Sequence, residues 1–291
     1  LNIRTLCKEL AEMAKKDLNE PEPERIREDI DAIKEWINKS PHLKSRTDDQ
    51  FLVAFLRACK YNLGSTKQKL DLFYTVRTAL PEIFLNRDPL DPKNNEVIKM
   101  GIGLWLPNTE TPGSPRIILV RPGFYDTKKY SILDFIKIST LGSDLMIRVD
   151  DNNVVAGYIG ILDLANVTTD LFNQFDPTFA EQMILMSPEA SPFRLQAFHY
   201  LNTPPGFETI FNVLKMFMSE KNKSGVYIHS DLKSLYKCVP RKLLPAEYGG
   251  DAGTIQSLVD TTLKRIISFR DYILEEEQFG SYEKKRPGTP G

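Results

Sequence analysis

The histidines and serines are the residues of this sequence that could carry out catalysis. His199 and His229 occupy corresponding places on two predicted strands, and Asp163 ends another. With Ser143 or Ser187 these groups could form the Ser-His-Asp arrangement of a hydrolase. A serine nucleophile needs a sharp turn that exposes its hydroxyl, however, and neither serine follows such a turn motif. We therefore expect both histidines to be structural hydrogen-bonding groups in a sheet and the chain not to be an enzyme.

Cofactor and metal motifs are incomplete or missing. Gly101-Ile102-Gly103 begins a dinucleotide-binding pattern, but Leu106 stands in place of the third glycine and the segment lies within a predicted strand. The remaining histidine, His42, follows Pro41 in a predicted loop, where we expect it to be solvated. No CxxC pair links the cysteines, which are Cys7, Cys59 and Cys238. The sequence therefore predicts no disulfide, no metal site and no cofactor.

The composition is that of a globular protein. Of the 291 residues, 41% are hydrophobic and 26% are charged, and a chain of this length buries enough surface to fold without disulfides. The formal net charge of -1 excludes a globally basic nucleic-acid-binding protein. Residues 1–18 lack the apolar run of a signal peptide, and the longest aliphatic runs are too short to span a bilayer. We expect a cytoplasmic protein.

Residues 1–90 predict a helical N-terminal subdomain. Apolar residues at helical spacing form one stripe, which consists of Ile26, Ile30, Ile33 and Ile37. Thr47 and Gln50 match a capping box at the start of a further helix. Gly64 is expected to interrupt that helix, and Thr66 is expected to cap the next one.

Residues 91–253 show a different pattern, in which short apolar runs alternate with helical stretches. The apolar runs are 97–104, 116–120, 155–162, 197–201 and 225–228. The helical stretches between them are 132–148, 177–186 and 206–221. This alternation predicts an α/β fold with a mainly parallel sheet. Residues 254–291 predict a final helix over 254–277 and a tail.

The predicted helix 206–221 is apolar over most of its surface. Its broad apolar arc consists of Phe207, Ile210, Phe211, Val213, Leu214, Phe217 and Met218. Such a helix is either an ordinary core-facing helix or a gate that closes an apolar cavity and can insert into a membrane surface. The segment Pro204-Pro205-Gly206 in front of it is a candidate hinge, and the basic residues around it suit anionic lipid headgroups.

Four segments of the chain occur in an order typical of one protein family. They are 49–61 (DQFLVAFLRACKY), 157–164 (GYIGILDL), 198–207 (FHYLNTPPGF) and 244–250 (LPAEYGG). Together they resemble the CRAL-TRIO family of lipid-binding proteins, and most closely its tocopherol- and retinaldehyde-binding branch. The resemblance covers about residues 24–260. It implies a CRAL-TRIO lipid-binding domain over 91–253, in which a sheet and flanking helices enclose an apolar pocket under a mobile gate helix.

The resemblance also implies which residues line that pocket. On the sheet and helices they are Ile136, Ser139, Ser143, Tyr158, Leu162, Phe175, Met183, Met186, Ser187, Leu195 and Phe198. On the gate they are Phe207, Ile210, Phe211 and Leu214. For most of them plain core packing is the alternative, because a cavity wall and a core have the same composition. The hydroxyls of Ser139, Ser143 and Tyr158 need polar partners, which a ligand hydroxyl or a bound water would supply.

Phosphoinositide contacts are the other property that the resemblance implies. The family's basic pattern is matched by Arg57, Arg194 and Lys221. Lys223 is a lysine that could compensate for a missing basic residue. Gln196 and Gly225 replace arginines of the tocopherol-binding branch, and Cys59 replaces a basic residue. The basic set is therefore incomplete.

These features together predict a monomeric intracellular carrier. It would bind a small hydrophobic lipid (tocopherol-, retinoid- or carotenoid-like), transfer it between membranes and associate peripherally with a membrane surface. No cofactor and no nucleic acid is expected as a partner. The alternatives are a phosphoinositide-responsive membrane adaptor and an enzyme that acts on a lipid ester. The sequence does not identify the ligand.

Overall fold

The computed structural model describes residues 1–215, 220 and 225–288. The helices in this part are α1 (Lys8–Asp17), α2 (Pro23–Asn38), α3 (Asp49–Ala58), α4 (Leu63–Ala79), α5 (Pro81–Phe84), α6 (Pro92–Lys99), α7 (Ile132–Val149), α8 (Asp151–Ala156), α9 (Thr169–Phe172), α10 (Pro177–Leu185), α11 (Phe207–Lys215), α12 (Leu232–Tyr236), α13 (Ile255–Ser268) and α14 (Arg270–Glu275). The strands are β1 (Leu43–Lys44), β2 (Gly103–Trp105), β3 (Arg116–Val120), β4 (Tyr158–Asp163), β5 (Leu195–Leu201), β6 (Val226–His229) and β7 (Gly280–Ser281). Short 3-10 turns occupy Pro122–Phe124, Pro188–Ala190, Arg241–Leu243, Ala246–Tyr248, Glu276–Gln278 and Glu283–Lys285. No helix of the described residues is long and apolar enough to cross a membrane.

Strands β2 to β6 form one sheet, in the spatial order β2-β3-β4-β5-β6. The β2 strand runs antiparallel to β3, whereas the β3-β4, β4-β5 and β5-β6 pairs are parallel. Parallel neighbours need long crossover connections, and here each crossover contains helix: α7 and α8, then α9 and α10, then α11. The predicted α/β class with a mainly parallel sheet is confirmed.

The helices α2, α3 and α4 form a layer that packs on α7 and α8. The predicted isoleucine stripe of α2 is buried, with Ile33 fully enclosed. It packs in one cluster with Phe51 of α3 and Phe73 of α4. Ile147 of α7 and Val154 of α8 belong to the same cluster. The helical layer therefore shares its core with the helices that lead into the central strand of the sheet.

Two predicted helix caps are wrong. The N-cap of α3 is Asp48 rather than Thr47, and its carboxylate accepts a hydrogen bond from the Phe51 N–H at 3.2 Å. The N-cap of α4 is Asn62 rather than Thr66, which lies inside the helix. Asp and Asn satisfy the free N–H groups of a first turn better than Thr does. The stronger cap nearby therefore sets where each helix begins.

The predicted strand over 97–104 is also wrong in its first half. Helix α6 extends to Lys99, and β2 begins only at Gly103. The Asp91 carboxylate accepts hydrogen bonds from two N–H groups of the first turn of α6, and Pro92 stands at the first helical position. This helix start is strong enough to override the apolar alternation that follows it.

The C-terminal residues differ from the prediction as well. The predicted helix over 254–277 is divided at Phe269 into α13 and α14. The predicted tail contains β7, which pairs antiparallel with β1 so that Leu43 lies opposite Ser281. A two-residue strand depends on this long-range pairing, which local sequence does not encode.

A buried ion-pair cluster connects the helical layer to α7. Asp144 of α7 is buried and lies 2.7 Å from Nη1 of Arg87. It also accepts hydrogen bonds from both terminal nitrogens of Arg77 on α4. Burial alone would raise the pKa of Asp144, but the Arg77 and Arg87 guanidiniums hold it below its ordinary value. Asp144 is therefore a carboxylate in the folded protein, and it forms ion pairs with two enclosed guanidiniums.

We expect Asp144→Asn to destabilise the fold by about 3–5 kcal/mol, because Arg77 and Arg87 would be left buried without an anion. Urea denaturation at neutral pH measures this change. The matched control is Asp31→Asn on the exposed face of α2, which should stay within about 0.5 kcal/mol of the wild type. Equal unfolding free energies for the two variants would contradict the role of the cluster.

Candidate functional site

The two faces of the sheet are packed to different densities. On one face, Ile117, Leu119, Ile161 and Leu201 are at most 2% exposed. They pack against residues of α12, α13 and the turns between these helices. This face is a filled core, as expected for a protein interior.

The opposite face of the same strands is incompletely covered. Several apolar side chains that alternate with the filled-core positions are half-buried, whereas Tyr200 on the same side of β5 is fully buried and Ile228 on the same side of β6 is exposed. The half-buried side chains are Ile118, Val120, Tyr158, Leu162, Phe198 and Val226. Central strands normally have fully buried side chains, because interiors contain few voids. Partial exposure at the middle of the sheet therefore indicates that these residues border open space. We call these six residues the open face.

Helix α7 and the region of α10 carry further partly buried apolar side chains. Ile136 of α7, Met183 of α10 and Met186, which follows α10, pack against a buried cluster that includes residues of α4 and α5. Phe175 packs against Phe179 of α10, with 4.9 Å between the ring centroids. These four partly buried residues, Ile136, Phe175, Met183 and Met186, are apolar.

The predicted pocket residues differ in their exposure. Half-buried members are Ile136, Ser143, Tyr158, Leu162, Phe175, Met183, Met186, Ser187, Leu195, Phe198 and Phe211. Ser139 is exposed, and it shares a face of α7 with Ile136 and Ser143. Phe207 is buried. The side chains of Ile210 and Leu214 lie outside the described residues.

Tyr158 is a polar group on the open face. Burial raises the pKa of Tyr158 to about 12, and no charged group contributes to the shift. Its hydroxyl makes no hydrogen bond with the residues that the structure describes, and the side chain is only half-buried. A phenol in apolar surroundings needs a hydrogen-bonding partner. A ligand hydroxyl or a water beside the ligand could take that place.

Tyr200 is a second phenol, which the sequence analysis missed. It is fully buried, and its hydroxyl has no partner within the described parts of the chain. Burial raises its pKa to about 12. Its ring lies 4.9 Å from the Phe207 ring and 5.6 Å from the Phe211 ring. The alternation of Phe198 and Tyr200 along β5 would have placed it on the same face.

The start of the predicted gate follows β5 directly. Gly206 has φ +83, a left-handed backbone conformation that favours glycine, and a Cβ at this position would meet nothing within 4 Å. Helix α11 then begins at Phe207, whose ring stacks on Phe211 at 5.6 Å. The described helix ends at Lys215, whereas 206–221 was predicted. Residues 216–219 and 221–224 lie outside the described residues. The second of these ranges includes the predicted headgroup ligands Lys221 and Lys223.

Arg57 does not have the environment that was predicted for it. It is 1% exposed and donates from Nε to Glu20 at 2.6 Å. Tyr61 donates to the same carboxylate oxygen at 2.6 Å. An enclosed, paired guanidinium cannot reach a lipid headgroup, so Arg57 is a structural residue. Arg194 is half-buried and donates to the Val155 carbonyl.

The histidines lie away from the open face. Phe198 and Tyr200 point to one side of β5, so His199 between them points to the other. His199 and His229 contact each other through Nδ1 and Nε2 at 2.8 Å. The predicted structural role of these histidines in the sheet agrees with this contact. Ser143 and Ser187 belong to the opposite side, and the structure does not bring them to His199.

His42 is not solvated, contrary to the prediction. It is buried, and its Nε2 lies 2.7 Å from the Asp71 carboxylate. The helices that surround it provide this partner, which the loop sequence does not reveal.

Two surface clefts lie elsewhere on the molecule. One, of about 190 Å³, is bordered by residues such as Tyr125, Lys128 and Asp170. The other, of about 210 Å³, is bordered by Arg77, Arg87 and Glu276 among others. Both are smaller than the roughly 300–1,000 Å³ of a typical ligand site, and charged groups line them. The open face is therefore the better candidate for an apolar ligand.

Comparisons with known proteins agree with the architecture. Residues 22–94 match the domain family described as "Pinta-like, UBA domain", and residues 99–250 match the "CRAL/TRIO domain". The human "Alpha-tocopherol transfer protein-like" is 31% identical over 257 residues, which are 88% of this chain and 74% of that protein. Human "Clavesin-2" is 26% identical over 247 residues, which are 84% of this chain and 75% of that protein.

Among solved structures, the "Crystal structure of Sfh5" aligns with a TM-score of 0.49 and 17% sequence identity over 73% of this chain and 75% of that chain. This likeness is too weak to add to the assignment. The match over 99–250 and the relative at 31% identity are sufficient by themselves. They confirm the resemblance that the four sequence segments carry: the chain belongs to the CRAL/TRIO family.

Proposed function

We propose that this chain binds one small hydrophobic lipid against the open face of the sheet and transfers it, chemically unchanged, between membranes. The observation that supports this proposal is the difference between the two sheet faces. Ile161 is fully buried, while its neighbour Leu162 on the other face is half-buried. If stability were the only requirement, complete burial of the side chains on both sheet faces would increase the free energy of unfolding.

The chemistry of the open face supports a mostly apolar ligand with a hydroxyl or carbonyl group. Its side chains are aliphatic and aromatic, and the phenols of Tyr158 and of the neighbouring Tyr200 have no hydrogen-bond partner among the described residues. Tocopherol-, retinoid- and carotenoid-like molecules have this composition. One relative is named for the transfer of α-tocopherol, which is consistent with the same ligand class.

The energetics of burial explain why a carrier needs a gate. A ligand that removes roughly 400 Å² of apolar surface from water gains roughly 10 kcal/mol, before the cost of association. The same gain would make release into water very slow. Release is faster when the ligand passes directly into another apolar phase, and a membrane supplies one. In the proposed mechanism, α11 swings at Pro204–Gly206 and its aromatic side chains enter the interface.

The two alternatives have less support. A headgroup-reading adaptor needs available cations, but Arg57 is buried and paired with Glu20. An esterase needs a nucleophile and base beside the ligand, but His199 faces away from the open face. We therefore favour a peripherally membrane-associated carrier over an adaptor or an enzyme.

Native mass spectrometry of the purified chain tests the proposal most directly. We expect a mass increment that corresponds to one small lipid per chain, and organic extraction should yield an apolar molecule with one polar end. Extraction after prolonged incubation should yield the same molecule. Conversion of the lipid into a product would identify an enzyme, and a chain without any lipid after exposure to mixed lipid vesicles would contradict binding.

A pair of adjacent substitutions tests whether the open face borders real space. Leu162→Phe should change the unfolding free energy of the lipid-free chain by less than about 0.5 kcal/mol, because the larger side chain enters a hollow. Ile161→Phe should cost about 1–3 kcal/mol, because it overfills a packed core. Only Leu162→Phe should weaken binding of fluorescent tocopherol among variants that fold. Equal destabilisation by both substitutions would mean that the two faces are equally filled.

A second pair tests the gate. Phe211→Asp should slow transfer of fluorescent tocopherol from donor to acceptor vesicles about tenfold or more, because a carboxylate resists entry into the membrane interface. Asn212→Asp, at an exposed position of the same helix, adds the same charge and should have little effect. Transfer is followed by the loss of quenching in acceptor vesicles. Similar rates for the two variants would argue against membrane entry by this face of α11.

A further inference from the structure

Two histidines and a cysteine meet on the sheet face opposite to the lipid site. His199 lies on β5, His229 ends β6, and Cys238 follows α12. One nitrogen of each imidazole and the Cys238 sulfur all lie within 4.8 Å of one another. Both imidazoles are buried, whereas the thiol is exposed. Sequence analysis expected no metal site, because the three residues come from separate elements.

The two imidazole rings present one nitrogen each to the same point. The rings stack at 5.1 Å with an angle of 21° between them. Nδ1 of His199 lies 2.8 Å from Nε2 of His229, so one proton lies between these two nitrogens. Nδ1 of His229 lies 2.7 Å from the Ser234 hydroxyl, which can donate or accept a hydrogen bond. Ser234 thus orients the His229 ring in either tautomer.

The donor set has the chemistry of a transition-metal site. Zn²⁺ binds imidazole nitrogen at about 2.0–2.1 Å and thiolate sulfur at about 2.3 Å in tetrahedral geometry. In such a tetrahedron the donor atoms are about 3.3–3.6 Å apart, between the 2.8 Å histidine contact and the 4.8 Å limit of the cluster. The imidazoles need to separate slightly and the exposed Cys238 thiol needs to turn inward. Soft sulfur together with imidazole selects Zn²⁺ or Cu⁺ over Mg²⁺ and Ca²⁺.

We propose that His199, His229 and Cys238 form a binding site for a thiophilic transition-metal ion, with Zn²⁺ as the first candidate and a water as the fourth ligand. On binding, the proton that lies between the two imidazoles moves to the other nitrogen of the ring that carries it, and the Cys238 thiol loses its proton. One proton is therefore released for each Zn²⁺ bound. The ion would link β5, β6 and the end of α12.

The position of this site relates it to the lipid site without overlapping it. The edge strand β6 pairs only with β5 among the strands described, and it follows the segment that begins at the predicted hinge. A metal that links His229 to β5 and to Cys238 would fix the C-terminal anchor of that segment. This inference does not depend on lipid transfer, because metal binding can be measured on a lipid-free chain.

Cobalt spectroscopy on the full chain, without a polyhistidine tag, tests the proposal. The chain is treated with a chelator under reducing conditions and titrated with Co²⁺. We expect a thiolate-to-cobalt charge-transfer band and tetrahedral visible bands that saturate at one Co²⁺ per chain and disappear when Zn²⁺ is added. The charge-transfer band should be absent in Cys238→Ser and present in Cys7→Ser, which removes another exposed thiol.

Two further measurements separate metal binding from a folding defect. Zn²⁺ should raise the thermal midpoint of the wild type and of Cys7→Ser but not that of Cys238→Ser, whose circular dichroism should match the wild type. Ser234→Ala should weaken Co²⁺ binding roughly tenfold or more, because it removes the partner that orients His229. The proposal is overturned if no thiolate band forms, or if Cys238→Ser binds Co²⁺ as tightly as the wild type.

Discussion

Dense packing of one sheet face is the condition on which the rest of the structure depends. Ile117 and Leu119 on β3 and Ile161 on β4 lie in a filled core against the C-terminal helices. This core fixes the positions of the parallel strands from one side. The other side can then carry an incomplete surface without losing the sheet, because register is already specified by the buried positions.

An incomplete apolar surface has a cost, and other contacts must offset it. Half-buried Leu162 and Phe198 forgo part of the dispersion and transfer energy that complete burial would provide. The helical layer contributes a second core, centred on α2 and α3, which continues into α7 and α8. The ion pairs of Asp144 with Arg77 and Arg87 then join α4 and α7. Apolar packing could not provide this connection, because the two guanidiniums need an anionic partner. The half-buried sheet face thus belongs to a fold that is stabilised elsewhere.

Periodicity predicted the elements of this chain better than it predicted single side chains. The stripe of α2 and the crossovers of the sheet were correct, because burial repeats along these elements and leaves a regular pattern. Thr47 was a wrong cap and Arg57 a wrong surface cation. Asp48 caps α3 in place of Thr47, and Glu20 forms the ion pair that encloses Arg57. A periodic pattern identifies neither of these residues. Tyr200 was missed although the alternation of β5 would have placed it.

The histidine cluster shows the same limit at longer range. His199 and His229 are 30 residues apart, and Cys238 follows nine residues later. A spacing motif identifies metal ligands that lie close together on one helix, strand or loop. This cluster instead forms because β5 and β6 pair in one particular register. Leu201 opposes His229 in that register and His199 opposes Tyr227, whose rings stack at 4.9 Å. A shift of one residue would turn His229 to the open face and dissolve the cluster.

The buried hydroxyl of Tyr200 connects the packing argument to gate movement. In the closed arrangement, Phe207 and Phe211 cover its ring, and its hydroxyl lacks a partner within the described residues. An unpaired buried hydroxyl costs about 1–3 kcal/mol. In the proposed gate movement, displacement of the two phenylalanines would expose that hydroxyl to water or to lipid headgroups and would recover this energy. The aromatic contacts would hold the proposed gate closed and the unsatisfied hydroxyl would oppose them, so a membrane would have to supply less energy for opening than a fully satisfied core would require.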